Sequence, residues 1–236
     1  MLSVGALLLT GCGGDRSGGP LGSPEDIVTR APDVTLGAQT ASIRINAPAA
    51  DAQGVVDFRD RSGHLTVLEP GSTQPANLLI SDGDGFIKRP TDAGYIDIGG
   101  DTAVPAAIRG GDPFANLDLI RGTVHILSDG GSEVDGASTI RYTLTIDPAQ
   151  ALSTTPPARQ ASLRTVLEGR TADFSIDVFV DSKLLVRRVE VPSDLKPLTP
   201  VTRDDRMPIA TDVDYLAFGV PVAPVQPPTT ISGAGS

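Results

Sequence analysis

Few side chains in this chain of 236 residues could carry out chemistry. There is one cysteine, Cys12, and there are two histidines, His64 and His125. Nucleophilic hydrolysis needs a nucleophile, a base within hydrogen-bond reach and an acid that orients the base. The histidines stand in separate strand-like stretches, and the sequence has no G-x-S-x-G motif. A carboxylate-pair glycosidase is harder to exclude with 29 acidic residues, although most of these stand in turns or on polar strand faces. The sequence predicts a protein that is not an enzyme and has no catalytic residues.

The same composition argues against a metal, a cofactor and nucleic acid. A single cysteine forms neither an internal disulfide nor a cysteine metal site. The two histidines are not at ligand spacing, so carboxylates would have to complete any metal site. The formal net charge of −10 repels phosphate backbones. We therefore expect no metal, no cofactor and no nucleic-acid partner.

Cys12 stands directly after a short apolar run and a Leu-Thr-Gly sequence. Small residues after such a run mark a processing site, and the run is too short to span a bilayer. The segment 9–12, LTGC, resembles the lipobox of bacterial lipoproteins, where signal peptidase II cuts before a cysteine that has received a diacylglycerol. We expect Cys12 to be lipidated, the alternative being a free thiol. Residues 1–11 are predicted to be a signal peptide that is shortened at its N-terminus, because no Lys or Arg precedes Arg16.

Changes in composition divide the rest of the chain into three parts. Residues 12–30 begin with a stretch rich in Gly, Ser and Pro that has almost nothing to bury, which predicts a lipidated flexible tether. Residues 31–222 are predicted to form one domain. Residues 223–236 are rich in Pro and Gly and are predicted to be a disordered tail.

Between these ends, apolar and polar residues alternate, which is typical of half-buried antiparallel strands. In TIRYTLTID, residues 139–147, one face carries Ile140, Tyr142, Leu144 and Ile146. In ADFSIDVFVD, residues 172–181, Phe179 interrupts an apolar set made of Phe174, Ile176, Val178 and Val180. Nine shorter stretches have strand character: 41–46, 54–59, 64–69, 77–81, 85–89, 94–98, 123–128, 184–191 and 213–218. The sequence thus predicts about eleven strands in a meander.

Turn and helix signals separate these strands. DGDG at 82–85 and DGGSEVDG at 129–136 are predicted to be turns, because Asp-Gly supplies the positive φ angles of tight hairpins. Their spacing does not fit a calcium loop. Helices are expected within 112–122 and 156–169, where proline can occupy the first helical turn. The second helix has a narrow apolar face formed by Leu163, Val166 and Leu167.

The order of these features resembles the LppX/LprG family (LppX_LprAFG) of actinobacterial lipoproteins. The resemblance covers most of the chain after Cys12. Besides the lipobox, the matching pieces are GFIKRPTDAGYIDIG, GSEVDGASTIRYTLTIDPAQAL, FSIDVFVDSKLLVRRVEV and FGVPVAPVQPP.

This resemblance implies a mainly β (α+β), LolA-like fold, in which a single curved antiparallel sheet forms a half-barrel with a few helices on its concave face. It implies that the protein binds acylated lipid or glycolipid in an apolar cavity and carries it across the cell envelope. It also implies attachment by a lipid anchor to the outer face of the cell membrane, with a membrane transporter as a further partner.

If the helices cover a lipid cavity, its lining should come from the apolar faces of the helices and of the two long strands. These residues are Leu117, Ile120, Ile140, Tyr142, Leu144, Leu163, Val166, Leu167, Phe174, Ile176 and Val178. Alternation alone does not distinguish such a cavity from a packed core. The alternative function is a non-enzymatic surface lipoprotein for binding or adhesion, folded as a β-sandwich without a lipid pocket.

Overall fold

The structure is a computed structural model that describes residues 22–47, 50–69, 71–98, 110–192 and 210–229. The strands in this part of the chain are β1 Thr40–Ala47, β2 Ala50–Asp57, β3 Ser62–Leu68, β4 Ala76–Ser81, β5 Asp84–Lys88, β6 Ile96–Asp97, β7 Thr123–Val134, β8 Ala137–Ile146, β9 Phe174–Asp181, β10 Val186–Pro192 and β11 Ala210–Phe218. The α-helices are α1 Pro24–Gly37, α2 Ala115–Leu119, α3 Pro148–Thr154 and α4 Gln160–Val166. Two 3₁₀ turns, Ile120–Gly122 and Pro157–Arg159, follow α2 and precede α4.

All of these strands belong to one open antiparallel sheet in the order β6-β5-β4-β3-β2-β1-β11-β10-β9-β8-β7. Strands β1 to β6 form one meander and β7 to β11 form another, and the pairing of β1 with β11 joins the two. The predicted fold class, a mainly β protein with a single antiparallel sheet and a few helices, is confirmed. The alternative β-sandwich is wrong, because the described strands form one sheet rather than two stacked ones.

Each of the eleven predicted strand segments overlaps an observed strand. In β8 the apolar residues Tyr142 and Leu144 are buried, whereas the polar residue between them, Thr143, is half-buried, as alternation predicts. Phe179 of β9, which interrupts the pattern, is also buried, although it lies on the opposite face. The guanidinium groups of Arg141 and Arg188 lie 5.9 and 5.8 Å from the centre of its ring and cover it.

Helix α1 corrects the predicted boundary between tether and domain. The side chain of Ser23 accepts a hydrogen bond from the backbone of Asp26, and the side chain of Asp26 accepts one from the backbone of Ser23. This capping box satisfies amide groups at the start of the helix and fixes its beginning at Pro24. Ile27 and Val28 are buried against the core. The predicted flexible tether over 12–30 is therefore wrong from Pro24 onward, and its first part up to residue 21 lies outside the described residues.

The other three helices lie in the two connections that flank β7 and β8. Helix α2 falls in the predicted range 112–122, and α4 falls in the predicted range 156–169. Helix α3 was not predicted. The carboxylate of Asp147 accepts hydrogen bonds from the first backbone amides of α3, and Pro148 occupies its first turn. These helices contact one another as one layer on the sheet.

One predicted turn is confirmed and the other is displaced. Asp82 and Gly83 have positive φ angles of 53° and 87°, as a tight hairpin between β4 and β5 requires. In the segment 129–136, only Asp135 and Gly136 form the turn, with φ angles of 49° and 78°. The preceding residues continue β7, where the extra residue before Gly130 shifts the register with β8 and makes a bulge.

Among the described residues, no helix is both long enough and apolar enough to span a membrane.

Candidate functional site

The apolar face of β8 and β9 forms one side of the predicted site. The two strands pair so that Tyr142 lies opposite Val178 and Leu144 lies opposite Ile176. Opposite residues of antiparallel strands project their side chains on the same face, so the four form one apolar surface. Each is at most 2% exposed. Burial also raises the pKa of the Tyr142 hydroxyl, which therefore stays neutral near pH 7.

The helices supply the other side of the predicted site. Leu117 lies in α2, and Ile120 begins the 3₁₀ turn that follows it. Leu163 and Val166 are three residues apart in α4, with Leu167 directly after it, so they share one helix face. All five side chains are buried, with Val166 the most exposed at 8%.

The structure thus brings the eleven predicted residues together. Nine are buried, and Ile140 and Phe174 are half-buried, but all belong to or pack against one hydrophobic cluster between sheet and helices. The guanidinium of Arg170 lies 4.1 Å from the centre of the Phe174 ring, and burial lowers the pKa of Arg170 to about 10. Phe174 therefore marks the rim of this apolar layer. Whether the layer opens to admit a lipid remains a prediction.

The apolar layer extends over the middle of the sheet. The predicted set of lipid-cavity residues contains none from these central strands. Val178 lies opposite Val189 of β10, Val189 lies opposite Val213 of β11, and Val213 lies opposite Ile45 of β1. These four side chains are each at most 1% exposed. The short alternations VDY at 213–215 and IRI at 43–45 are the signal that could have identified them.

Two hydrogen bonds tie the helix layer to the sheet. Nη2 of Arg61, in the turn between β2 and β3, donates to Oγ of Ser162 in α4 over 2.5 Å. The hydroxyl of Tyr215 in β11 donates to the carbonyl oxygen of Pro113 over 2.6 Å. Burial raises the pKa of Tyr215 well above its ordinary value, so it remains a neutral donor. The helix layer is thus joined to the sheet by one partly buried and one fully buried hydrogen bond.

A charged cluster around Asp118 joins the helices to each other. The Asp118 side chain is 1% exposed, and its Oδ1 lies 3.2 Å from Nε of Arg121 and 3.3 Å from Nη2 of Arg159. Burial raises the pKa of Asp118, although both arginines oppose that shift, and burial also lowers the pKa of Arg159. Arg121 also pairs with Asp33 of α1. The cluster therefore holds α1, α2 and the turn before α4 together.

Two cavities lie apart from the predicted lipid-cavity residues. The larger, of about 510 Å³, lies between the turns after β2 and β4 and the segment 222–225. The smaller, of about 310 Å³, lies between the loops that follow β3 and β5 and is bordered by Glu69 and Arg89. Neither is lined by a predicted lipid-cavity residue.

The two histidines do not lie close together. His64 is half-buried on β3 and His125 is exposed on β7, seven strands away in the sheet. Within the described ranges, no three or more His, Cys, Asp or Glu side chains are placed to hold a metal ion. Cys12 lies outside the described residues.

Comparison with known proteins identifies the fold. No family model matches the sequence, and no curated protein matches it significantly. The lipoprotein LppX of Mycobacterium tuberculosis aligns over 85% of this chain and 99% of its own, with a TM-score of 0.55 and 12% identity. LprF of Mycobacterium bovis aligns over 85% of this chain and 96% of its own, with a TM-score of 0.51 and 17% identity. A LolA superfamily protein of Nitrosomonas europaea aligns more loosely, with a TM-score of 0.31. The chain has the fold of LppX and LprF.

Proposed function

We propose that this protein is a lipid-anchored carrier, which binds an acylated lipid or glycolipid between its sheet and its helices and moves it across the cell envelope. The observation that carries this proposal is the continuous apolar layer on the inner face of the sheet. Acyl chains offer few hydrogen-bonding groups, so a layer of aliphatic side chains suits them better than a polar groove.

The helices over this layer are short, with five residues in α2, seven in α3 and seven in α4. Helices of this length owe their stability to packing rather than to their own hydrogen bonds. If an acyl chain lies between these helices and strands β8 and β9, apolar contacts between helix and strand side chains are replaced by apolar contacts with the acyl chain. Its affinity should follow the apolar area removed from water, at roughly 25 cal/mol per Å².

The shared fold and the LTGC sequence together support an anchor at Cys12. LppX of Mycobacterium tuberculosis is a lipoprotein, and its fold is that of this chain. An anchored carrier would work at the outer face of the cell membrane and exchange its lipid with a membrane transporter. The cargo, rather than the anchor, would occupy the apolar layer.

Lipid loading of space-filling variants tests the carrier function. The protein is purified from its membrane, extracted with organic solvent, and the acyl lipid per protein is measured by mass spectrometry. The anchor is distinguished from cargo because it is covalent and stays with the protein. We expect Val166→Phe and Val178→Trp to reduce the extracted lipid several-fold, because both side chains would occupy the volume of an acyl chain.

Ser175→Trp is the matched control, since Ser175 lies in β9 on the face opposite Ile176 and Val178. It should leave the extracted lipid unchanged. Thermal melting of all three variants shows that each is folded. An extract without lipid from the wild-type protein, or equal loading of Val166→Phe and wild type, would contradict the carrier function.

A further inference from the structure

Arg170 is a half-buried cation at the rim of the apolar layer, and no carboxylate in the described part of the chain pairs with it. Other half-buried arginines have such a partner, since Arg121 pairs with Asp118 and Arg141 pairs with Asp177. Burial lowers the pKa of Arg170, and a neighbouring carboxylate would have opposed that shift. A charge that is taken out of water without a counter-charge costs stability. A ligand that carries a negative charge would remove this cost.

Two contacts hold the guanidinium of Arg170 in place. Its Nη2 donates a hydrogen bond to the carbonyl oxygen of Pro192, at the end of β10, over 3.0 Å. The guanidinium carbon lies over the ring of Phe174, at the start of β9. Its Nε is buried and has no hydrogen-bond partner among the described residues. Buried donors are ordinarily satisfied, so this N–H is left for a ligand to accept from.

This donor lies where the apolar layer meets water. On the inner face of β9, Phe174 is followed by Ile176 and Val178, both of which are buried. Because a strand rises about 3.3 Å per residue, this apolar row extends roughly 13 Å along the sheet from Phe174 to Val178. Residues 171–173, before the start of β9, are exposed. The end of β9 can therefore accommodate a charged head beside an apolar tail.

We propose that Arg170 binds the anionic head, a phosphate or a carboxylate, of an acyl lipid whose chains lie along the apolar layer. This inference rests on the proposed carrier function and specifies the charge of the cargo. Both oxyanions accept strong, charge-assisted hydrogen bonds from a guanidinium. A neutral lipid of the same chain length would leave Arg170 without a counter-charge, so the site selects the anionic one. The net charge of −10 repels anions in general, so such a preference requires a local cation.

Two lipids that differ only in a phosphate test this selection. The full chain is purified in a neutral detergent, freed of bound lipid, and incubated with mixed micelles that contain equal amounts of phosphatidic acid and diacylglycerol with the same acyl chains. The protein is isolated again, and both lipids are measured by mass spectrometry. We expect the wild type to take up about tenfold more phosphatidic acid than diacylglycerol, because a hydrogen bond to a charged group contributes at least this factor.

Substitutions at Arg170 assign the preference to this side chain. Arg170→Gln removes the charge, and we expect it to load the two lipids about equally, with the uptake of diacylglycerol unchanged. Arg170→Lys keeps the charge without the planar fork and should show an intermediate preference. Arg164→Gln is the matched control, because Arg164 is exposed in α4 and donates to Gln160. It changes the net charge equally and should load like the wild type. Thermal melting shows which variants are folded.

Equal loading of the two lipids by the wild type would overturn selection by Arg170 and leave the carrier function standing, whereas a wild type that loads neither lipid would overturn both. An unchanged preference in a folded Arg170→Gln variant would also overturn the proposal. If that variant does not fold, the wild-type ratio and Arg170→Lys still decide.

Inorganic phosphate distinguishes a lipid head from a free anion at Arg170. We expect millimolar phosphate to leave the loading of phosphatidic acid unchanged, because free phosphate lacks the apolar contacts of the acyl chains. If phosphate abolished this loading and raised the melting temperature of the lipid-free wild type but not of Arg170→Gln, the site would belong to a free anion. That result would overturn the lipid assignment.

Discussion

At the scale of single residues, the outer face of the sheet concentrates charge at positions that are only partly open to water. Asp177, Glu190 and Asp212 occupy directly opposite positions in β9, β10 and β11. Like charges in such positions repel one another. Burial, followed by the nearby charges of Asp212 and Asp177, raises the pKa of Glu190 from its ordinary value of 4.5, and burial also raises the pKa of Asp212. The ionised form of Glu190 therefore costs stability in the folded protein.

Replacing Glu190 by Gln should remove this cost. We expect Glu190→Gln to increase the free energy of unfolding at neutral pH by roughly 0.2–1 kcal/mol. Because the pKa of Glu190 is higher in the folded state, the stability that its protonation contributes is fully present below the unfolded pKa and is lost as the pH rises through the folded pKa. Urea unfolding at about pH 4 and about pH 8 should show a larger loss of stability between the two pH values in the wild type than in the variant.

Asp214→Asn is the control, and we expect it to lower the free energy of unfolding rather than raise it. Asp214 is fully buried and accepts hydrogen bonds from both Arg44 and Arg188. Removing its charge breaks the ion pairs with both arginines, although Arg188 keeps one with Glu190 at 3.4 Å, and we expect a loss of about 1–3 kcal/mol at neutral pH. If both substitutions changed the free energy of unfolding in the same direction, this account of the charges on the outer face would be contradicted.

At the scale of elements, strands were easier to predict than helices because their signal repeats every two residues. The alternation that identified β8 and β9 arises from one buried face, and it survives interruption by Phe179 because arginines cover that ring. Helices α1 and α3 have their signals at their ends instead. Ser23 with Asp26 caps α1, and Asp147 before Pro148 caps α3. Sequence reasoning treated the first as part of a tether and the second as the end of a strand.

Gly54 shows how closely the strands of the first meander pack. A Cβ atom at this position of β2 would lie 2.0 Å from the carbonyl oxygen of His64 in β3. Backbone cannot move aside as a flexible side chain can, so we expect Gly54→Ala to cost about 1–3 kcal/mol through strain. Gly131→Ala in β7 meets no atom within 4 Å and should change stability by less than about 0.5 kcal/mol. Denaturant unfolding measures the stability of the two variants. Equal losses of stability for Gly54→Ala and Gly131→Ala would show that the chain relieves the strain at position 54.

At the scale of the whole molecule, the candidate site could be predicted only in part. The faces of β8, β9 and α4 follow from periodicity, which predicts that Tyr142, Val178 and Leu163 line one site, and the structure places the three in one hydrophobic cluster. The central strands also contribute buried side chains to the apolar layer, but the alternation of apolar and polar residues in them is only three residues long, as in IRI at 43–45. The register that places Ile45 opposite Val213 joins residues from the two ends of the chain, and no local pattern specifies such a pairing.

The proposed lipid anchor at Cys12 makes a prediction for the intact protein. We expect Cys12→Ala to release the protein from the membrane fraction or to leave it unprocessed. Each buried CH₂ contributes about 0.8 kcal/mol, and two or more acyl chains hold a protein where one barely does. Fractionation of cells followed by immunoblotting measures the distribution. A wild-type protein that is wholly soluble and carries no acyl group by mass spectrometry would contradict lipidation.

The seam between β1 and β11 has a consequence for how the chain folds. It joins residues as far apart as Arg44 and Asp214, 170 positions along the chain, whereas the other strand pairs join neighbours in sequence. Each meander can assemble from local contacts, but the seam has a high contact order and closes slowly. Because β11 follows all the other described strands along the chain, the nascent chain holds two unpaired edges at the centre of its future sheet until β11 has been synthesised.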